Sequence, residues 1–375
     1  MALFDAKQFN PEVFLKYMET VESARVNRLI RAGIFVGEPT LQQSLADGVG
    51  GNYMQRNFIG RLAGDPEVYD GVTNITASTL KTYKQGLVAI GLAHSFIEKD
   101  FTPSITGKDF MTNVAEQLVE YWDTQDQNML ISVLKGIFAT ALAGKVVEKN
   151  LASLSVADII DGLALQGDKS ANIRAVAMHS TVLNALKKAN LVNAVKFLDT
   201  NGIQRDLGIY QWDSRDVIED DSIEPAESYN ASADTSVQAG KVYYTKSGDV
   251  YTKVATPTGN PSTSGYYEKT LAYPVYLLGA NAFTFQPLNV KVPAEMWRQP
   301  LNNGGEEYLI SRQRFVLAPY GVSFKASGMS GNAPTKAELE TGSAWEVVNT
   351  GGVSPEAIPL KNIPIACIVF KLTGI

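Results

Sequence analysis

The sequence contains very few of the residues that build disulfides, zinc sites and nucleophile–base pairs. Its 375 residues include one cysteine, Cys367, and two histidines, His94 and His179. No disulfide can form within the chain, and a zinc site would need carboxylate ligands almost throughout, which is unusual. Neither histidine has a nearby nucleophile pattern, so both are predicted to be structural. Cys367 lies in an apolar run and is predicted to be a buried, unreactive thiol.

Charged residues are also scarce, at 19% of the chain against about 25% in typical soluble proteins. The formal net charge of −6 argues against broad binding to a phosphate backbone, which requires clustered lysine and arginine. The longest apolar runs, near 86–97 and 136–144, are too short to cross a bilayer, and the N-terminus lacks a signal-peptide pattern. We therefore expect a soluble protein that is synthesised in a reducing cytoplasm and does not bind membranes.

Two short segments resemble chemical sites but lack the context that such sites need. Residues 162–170, GLALQGDKS, are one residue away from a phosphate-binding loop. Asp168 precedes Lys169, however, and the segment follows a predicted helix where a strand is required. A helix-ending turn is predicted instead. The second segment is acidic and is predicted to be a solvated loop, because its spacing does not match a calcium loop. Its acidic residues are Asp213, Asp216, Glu219, Asp220 and Asp221.

The strongest periodic pattern predicts a long helix over residues 109–143. Apolar residues recur in steps of three and four, which places them on one stripe of a helix. The stripe consists of Val114, Leu118, Trp122, Met129, Leu130, Val133, Leu134, Ile137, Phe138 and Ala141. Gly144 follows where a terminating glycine is expected. Such a helix would be about 50 Å long and would span a whole domain.

The remainder of the chain alternates between strand and helix signals, which predicts an α+β fold. Residues 52–100 carry turn signals and branched stretches and are predicted to form a long β-hairpin or loop. A capping box is predicted at Ser155–Asp158, and Ser180 is predicted to cap a helix after a strand at 173–179. Further strands are predicted at 310–325 and 363–375, with a short helix within PTKAELETG, residues 334–342.

Two regions differ in composition from the rest. Residues 33–52 are rich in glycine and have no strong periodicity, so they are predicted to form an extended arm that is ordered by packing on something else. Residues 229–270 are rich in tyrosine, serine, threonine and glycine, with alternating strands around Val242–Thr245 and Val250–Val254 joined near Ser247 and Gly248. They are predicted to form a small β module inserted at a surface loop.

Several segments resemble, in collinear order, the major capsid proteins of tailed bacteriophages, in particular those of the siphovirus group. The resemblance rests on the amino-acid sequences of six short segments. In the last of them, Ala318 stands where the family frequently has a histidine. The segments are RAGI at 31–34, YWDTQDQ at 121–127, VAMHS at 176–180, VIEDDS at 217–222, YLLGANA at 276–282 and RFVLAPYG at 314–321.

The resemblance implies a Hong Kong ninety-seven type capsid fold, in which Trp122 of the long spine helix lies against the sheet of the P domain. The implied parts are an N-terminal arm at 1–51, an E-loop at 52–100, the P-domain spine helix at 101–150, an A domain at 151–228 and 271–309, the inserted module at 229–270, and P-domain strands with the C-terminus at 310–375.

The resemblance also implies a function. The protein would be a structural subunit, without catalytic, cofactor or metal sites, that assembles with copies of itself as pentamers and hexamers. The resulting icosahedral head would enclose double-stranded DNA without reading its sequence. Scaffolding, portal and decoration proteins are further possible partners. The protein would be located in the virion capsid after synthesis in the cytoplasm of the host bacterium.

Three alternatives remain open from the sequence. An encapsulin-like bacterial shell protein would share the fold but package enzymes. An α+β enzyme would need a convergent nucleophile, base or metal cluster, and none is legible in the sequence. A portal or tail-tube subunit would form rings, and a portal would need channel helices besides the single long one.

Overall fold

The computed structural model describes residues 33–45, 51–60, 66, 68, 69, 72, 80–99, 110–198, 204–351 and 354–373. The chain divides into two compact units. The first unit contains the residues up to Ala143 and Asn281–Ile363, and the second contains Gly144–Ala280 and the residues from Pro364 onward. Most of the predicted N-terminal arm, and most of the turn and strand signals between residues 61 and 79, lie outside the described residues.

The predicted long helix is present as α2, Phe110–Ala139. Its 30 residues span about 45 Å. The helix ends four residues earlier than predicted, because the chain turns at Thr140 and the Leu142 amide donates to the carbonyl of Ile137. The side chains that the periodicity placed on one stripe are buried from Leu118 to Ile137. The helix is therefore stabilised chiefly by tertiary packing of that stripe.

A mainly antiparallel sheet in the first unit is built around one long strand, β15 (Glu306–Pro319). This strand pairs with β3 (Thr82–Lys99) over eleven registered positions, from Glu306 opposite Lys99 to Val316 opposite Ala89. Its other edge pairs with β13 and β14, and β13 in turn pairs in parallel with β1. The strands are β1 (Phe35–Val36), β2 (Tyr53–Ile59), β3 (Thr82–Lys99), β13 (Phe283–Leu288), β14 (Ala294–Gln299) and β15 (Glu306–Pro319).

The predicted hairpin is present where the structure describes residues 52–100. Strands β2 and β3 pair from Tyr53 opposite Val88 to Ile59 opposite Thr82. The second half of β3, from Ala89 onward, continues beside β15. A single 18-residue strand thus connects the hairpin to the sheet.

The described part of the predicted arm is extended only around β1. Residues 39–45 form a helix, α1 (Pro39–Leu45), and Leu41 and Leu45 are buried on one side of it. These two leucines pack in a cluster with Leu87, Leu288 and Val316. The prediction of an extended arm is therefore wrong for this segment, because the helix buries its apolar side within its own unit.

A second small substructure covers the C-terminal half of α2. It contains β16 (Val322–Phe324), α5 (Lys336–Glu340) and β17 (Trp345–Val347). The short helix predicted at 334–342 is confirmed as α5, and Thr335 and Glu338 form a complete capping box at its start. The Trp345 indole donates to the carbonyl of Leu339 at 2.8 Å.

The second unit is formed by a ten-stranded mixed sheet around β12. In its inner half β12 pairs with β5 on one edge and with β18 on the other. Cys367 lies in β18 and is buried. The strands are β4 (Val146–Asn150), β5 (Ile173–Met178), β6 (Asn193–Leu198), β7 (Gln204–Trp212), β8 (Arg215–Glu219), β9 (Ala226–Ala231), β10 (Tyr243–Ser247), β11 (Val250–Lys253), β12 (Tyr267–Gly279) and β18 (Ile365–Thr373).

Two helices, α3 (Ala157–Ala164) and α4 (Ser180–Lys188), pack their apolar faces on this sheet. The predicted cap of α4 is wrong by one residue. The N-cap is His179, whose Nδ1 accepts from the amide of Thr181 at 3.0 Å. The predicted capping box before α3 is half formed: the Asp158 carboxylate accepts from the Ser155 amide, and the N-cap residue is Val156, without a side-chain bond.

Residues 213–221 are also only partly a loop. Residues 215–219 form strand β8, which pairs in parallel with β5, because Val217 and Ile218 find buried positions beside that strand. The predicted solvated loop is therefore wrong for these five residues. Within the described residues, no helix is long and apolar enough to cross a membrane.

The first testable prediction concerns Gly136, in the interior of α2. A Cβ atom there would lie well inside van der Waals contact of the Leu339 carbonyl oxygen and close to the Trp345 indole nitrogen. Alanine normally stabilises an exposed helix interior by about 1 kcal/mol over glycine. Here we expect Gly136→Ala to lower the free energy of unfolding by roughly 1–3 kcal/mol, because overpacking dominates. Thr124→Ala, on the same helix, is the control, and an equal or higher melting temperature for Gly136→Ala would contradict the prediction.

Candidate assembly surfaces

The long helix packs on one face of the first unit's sheet. Trp122 is 6% exposed, and its indole N–H donates to the Ser311 hydroxyl of β15 at 2.9 Å. The ring packs with Leu118, Ala294 and Leu309 in one buried cluster. The predicted placement of Trp122 between the helix and the sheet is therefore confirmed.

The opposite face carries a line of apolar side chains across three strands. Ile97, Tyr308 and Trp297 are directly opposite one another in register on β3, β15 and β14. Because side chains alternate along a strand, they point away from Leu309 and the helix. Ile97 and Trp297 are each 52% exposed, and the rings of Trp297 and Tyr308 are 5.4 Å apart. We call these three residues the apolar row.

The row has polar neighbours and an exposed leucine near one end. The Tyr308 hydroxyl donates to Glu306 Oε2 at 2.6 Å, and Arg298 pairs with Glu307 at 2.8 Å. Leu301, in the turn between β14 and β15, is 93% exposed. Exposed apolar groups with a polar rim are typical of surfaces that bind another protein.

Exposed apolar side chains also mark the far end of the hairpin. Ile59 is 74% exposed and Leu80 is 48% exposed, at the ends of the strands. Val68, Tyr69 and Val72, between the two strands, are each more than four-fifths exposed. The described hairpin thus carries large apolar side chains that its own unit does not cover.

The inserted module is organised around a polar network and a tyrosine cluster. Lys241 Nζ lies 2.9 Å from Asp234 Oδ2 and 3.2 Å from Glu268 Oε2. The Tyr243 hydroxyl, in a fully buried residue, donates to Asp234 Oδ2 at 2.7 Å. The hydrogen bond from Lys241 lowers the pKa of Asp234, and the hydrogen bond to Asp234 raises the pKa of Lys241. The network fixes the loop between β9 and β10.

The tyrosine cluster lies beside this network. The rings of Tyr229 and Tyr251 stack at 4.1 Å, while Tyr244 and Tyr267 contact them edge-on. The hairpin of β10 and β11, predicted near Ser247 and Gly248, is confirmed. The module therefore has its own ordering contacts although it is rich in serine, threonine and glycine.

Among the residues that the sequence singled out for possible chemistry, the described structure brings His179 close to Asp221, with 3.7 Å between Nε2 and Oδ1. Burial raises the pKa of the Cys367 thiol to about 12, so it remains protonated. His179 accepts an amide hydrogen bond as a cap, whereas His94 is exposed on β3 and stacks on Tyr121 at 5.1 Å. The segment 162–170 ends α3 and continues into a 3₁₀ turn, as predicted. Across the described ranges, no group of three or more histidine, cysteine or acidic residues could hold a metal ion.

Sequence reasoning did not single out Asp126, on the long helix. Its carboxyl accepts from Gln313 Nε2 of β15 at 2.8 Å. Burial raises its pKa to about 7; the Gln313 hydrogen bond opposes this shift, and the neighbouring charge of Asp123 adds to it. An aspartate at the contact between helix and sheet is thus poised to change charge near neutral pH.

The long helix on one sheet face, the connected hairpin and the separate sheet unit are the parts of a Hong Kong ninety-seven type fold, as the sequence predicted. No profile of a known protein family matches the chain. The chain is 24% identical over 345 residues to the major capsid protein of Bacillus phage SPP1, covering 90% of this chain and 91% of that protein. This relative confirms the resemblance to the major capsid proteins of tailed phages, and the encapsulin alternative is not favoured.

Solved capsid structures are also similar to the chain. The acid-stable capsid of Helicobacter pylori bacteriophage KHP30 is 10% identical, with coverage of 87% of this chain and 86% of that chain and a TM-score of 0.48. The capsid of cyanophage Pam1 is 14% identical, with coverage of 80% and 89% and a TM-score of 0.47.

The second prediction concerns the pH dependence that Asp126 creates. The native state binds the proton more tightly than the unfolded chain, so stability should fall as the pH rises from about 4 to about 7. We expect Asp126→Asn to remove this dependence and to stabilise the protein at pH 8 by roughly 1–2 kcal/mol, less than the full shift implies, because the side chain is partly exposed. Chemical denaturation at pH 5 and pH 8 measures the effect.

Asp249→Asn, in an exposed turn of the module, is the control for the second prediction. It should leave the difference between the two pH values unchanged. If Asp126→Asn retains the wild-type difference between pH 5 and pH 8, Asp126 does not carry the pH dependence.

Proposed function

We propose that this protein is a major capsid subunit that assembles with copies of itself as pentamers and hexamers into an icosahedral phage head around double-stranded DNA. The observation that carries the proposal is the similarity to the capsid protein of phage SPP1, which extends over 90% of the chain. A relationship over nearly the full length involves both units and the hairpin, not one shared motif.

The surfaces of the first unit support self-association. The apolar row and the hairpin end expose large side chains that a monomer leaves in water. Burying a fully exposed side chain of this size contributes roughly 1.5–3 kcal/mol, and burying a half-exposed one contributes proportionately less. Neighbouring subunits in a shell would cover them. The low charge fraction of 19% is consistent with a subunit whose sides are mostly interface.

The proposal assigns a capsid role to each part of the chain. It keeps the boundaries expected from the sequence except where the two compact units differ from them: residues 281–309 belong to the unit of the long helix, and the residues from Pro364 onward belong to the second unit. The 229–270 module is assigned to the outer surface of the shell. The assignments are the N-terminal arm at 1–51, the E-loop at 52–100, the P domain at 101–143 and 281–363, and the A domain at 144–228, at 271–280 and from Pro364 onward.

The proposed environment is the virion after synthesis in the host cytoplasm, with no membrane partner. Scaffolding, portal and decoration proteins are proposed partners, and contact with packaged DNA would be independent of sequence. The role is structural and non-enzymatic. Its support is the similarity to a capsid protein, together with the buried, protonated state of the Cys367 thiol.

The third prediction tests shell formation itself. Negative-stain electron microscopy of the purified wild-type protein should show closed, icosahedral particles. Trp297→Glu places a charge in the apolar row, and we expect it to reduce the yield of particles at least roughly tenfold, because a buried unpaired charge costs several kcal/mol. Its melting temperature should stay close to wild type, since Trp297 is 52% exposed. Rings, or a wild-type chain that remains monomeric at high concentration, would contradict the proposed function.

The fourth prediction concerns the inserted module. The Ser232 amide donates to the carbonyl of Tyr266 at 2.8 Å, so the two ends of the segment 233–265 are already adjacent. Replacing that segment by a short glycine–serine linker should leave shell formation intact. The deletion spares β9 and β12, which belong to the core sheet. Failure to form shells, with the remaining protein still folded by circular dichroism, would show that the module takes part in assembly.

A further inference from the structure

A buried polar side chain lies at the base of the hairpin. Gln85 of β3 is fully buried. Its Nε2 donates to the carbonyls of Pro319 and Val322, each at 2.8 Å, and its Oε1 accepts from Arg56 Nη2 at 2.8 Å. All three bonds are made by one amide, so the end of β15, the start of β16 and the second strand of the hairpin meet at this side chain.

Arg56 extends this contact to a third segment. Its Nη1 forms an ion pair with Glu38, which precedes α1 in the chain. The guanidinium also lies 4.5 Å from the centre of the Phe58 ring. The Arg56 and Glu38 side chains are only 19% and 29% exposed, and burial lowers the pKa of Arg56 while the Glu38 charge opposes that shift. Loss of the arginine would leave the buried Gln85 oxygen and the partly buried Glu38 carboxylate without this donor.

Glu38 is itself fixed to the sheet. Its amide donates to Gln286 Oε1 of β13 at 2.9 Å, and the helix that follows buries Leu41 and Leu45. The segment around Glu38 is therefore an anchored reference point. Arg56 holds the first strand of the hairpin against that point on one side and against Gln85 on the other.

The backbone beside Gln85 is equally confined. The Gly86 amide donates to the Ser323 hydroxyl at 2.7 Å, and a Cβ atom at Gly86 would overlap the Phe324 carbonyl oxygen. The far end of the hairpin, by contrast, carries the exposed Ile59 and Leu80. The hairpin is thus restrained at its base and free of described apolar cover at its end.

We propose that Arg56 is a positioning residue for shell assembly, which couples the segment of residues 33–45 to the base of the β2–β3 hairpin through Glu38 and Gln85. This inference rests on the proposed function. The fork of the guanidinium sets the direction in which the hairpin leaves the sheet. The exposed end of the hairpin is then already oriented toward the neighbouring copy before assembly. Arginine suits this position because the two Nη atoms of its planar fork donate in fixed, separate directions, one to the carboxylate and the other to the amide oxygen.

The test compares Arg56→Gln, Arg56→Lys and Glu38→Gln with Lys81→Gln. Lys81 lies at the start of the second strand of the hairpin and forms an ion pair with Glu356. The Lys81 side chain is 45% exposed and that of Glu356 is 61% exposed, so this pair should contribute little to stability. For the three variants of the Arg56 contact we expect melting temperatures lowered by only a few degrees, because a buried acceptor loses its donor, and a yield of closed shells lowered roughly tenfold. Lys81→Gln should assemble as wild type.

Hydrogen exchange provides a readout that does not depend on assembly. In the unassembled Arg56→Gln protein, amides of residues 39–45 and 82–88 should both exchange faster, while those of β18 remain unchanged. If Arg56→Gln does not fold, the same exchange measurement can be made on Arg56→Lys, which retains the positive charge but lacks the planar guanidinium.

Wild-type shell yield and diameter in the Arg56 variants, or unchanged exchange in both segments, would overturn the inference. If the wild-type protein forms no shells, the proposed function fails, and the exchange experiment still decides whether Arg56 couples the two segments.

Discussion

The packing of the long helix against β15 is the constraint on which the first unit depends. Trp122 buries its ring between the two and satisfies its indole N–H with Ser311. Because that face is occupied, the apolar side chains that alternate to the other face need other partners. Val316 finds them in Leu41 and Leu45 of α1, whereas the apolar row stays partly exposed. The same strand that gives the molecule its core therefore also creates its apolar row. Exposure of Trp297 follows from the two-residue period of β-strands and is not a separate feature of the surface.

Strand β12 has the corresponding role in the second unit. Its inner half lies between β5 and β18 and contributes Val275 and Leu277 to the core. Its outer half pairs with β9 and β10 and carries the module. The shift in composition at residue 229 thus does not coincide with a break in the sheet. The module is an extension of the central strand, stabilised by its own polar network and tyrosine cluster.

The sequence predicted the elements whose partners lie close in the chain or whose pattern is long. The stripe of the long helix repeats over several turns, so its existence did not depend on tertiary context. The helix at 39–45 was missed because two leucines four residues apart give too short a pattern, and their partners Leu87 and Val316 are remote in sequence. Strand β8 was missed because its acidic neighbours outweigh Val217 and Ile218, which become apolar core only beside β5.

The assembly surfaces were less predictable than the core for a related reason. A strand that is apolar on both faces, such as β15, does not reveal which face a helix covers. The cap of α4 shows the same limit of sequence-based prediction. Serine is the more usual N-cap residue, but in the structure the His179 imidazole accepts the capping hydrogen bond. By contrast, Cys367 was placed correctly, since a lone cysteine within an apolar run has few alternatives.

The energetics of the apolar row explain why a single contact cannot be the whole interface. Its three side chains are already partly covered, so burying the remainder contributes roughly 3–5 kcal/mol in total. Bringing two proteins together costs about 4–15 kcal/mol of translational and rotational freedom. A dimer held by the row alone would therefore be weak. Further contacts, such as those at the hairpin end, must act with it, and each contact strengthens the next once a neighbour is in place. A closed shell meets that requirement, because every copy is held on several sides at once.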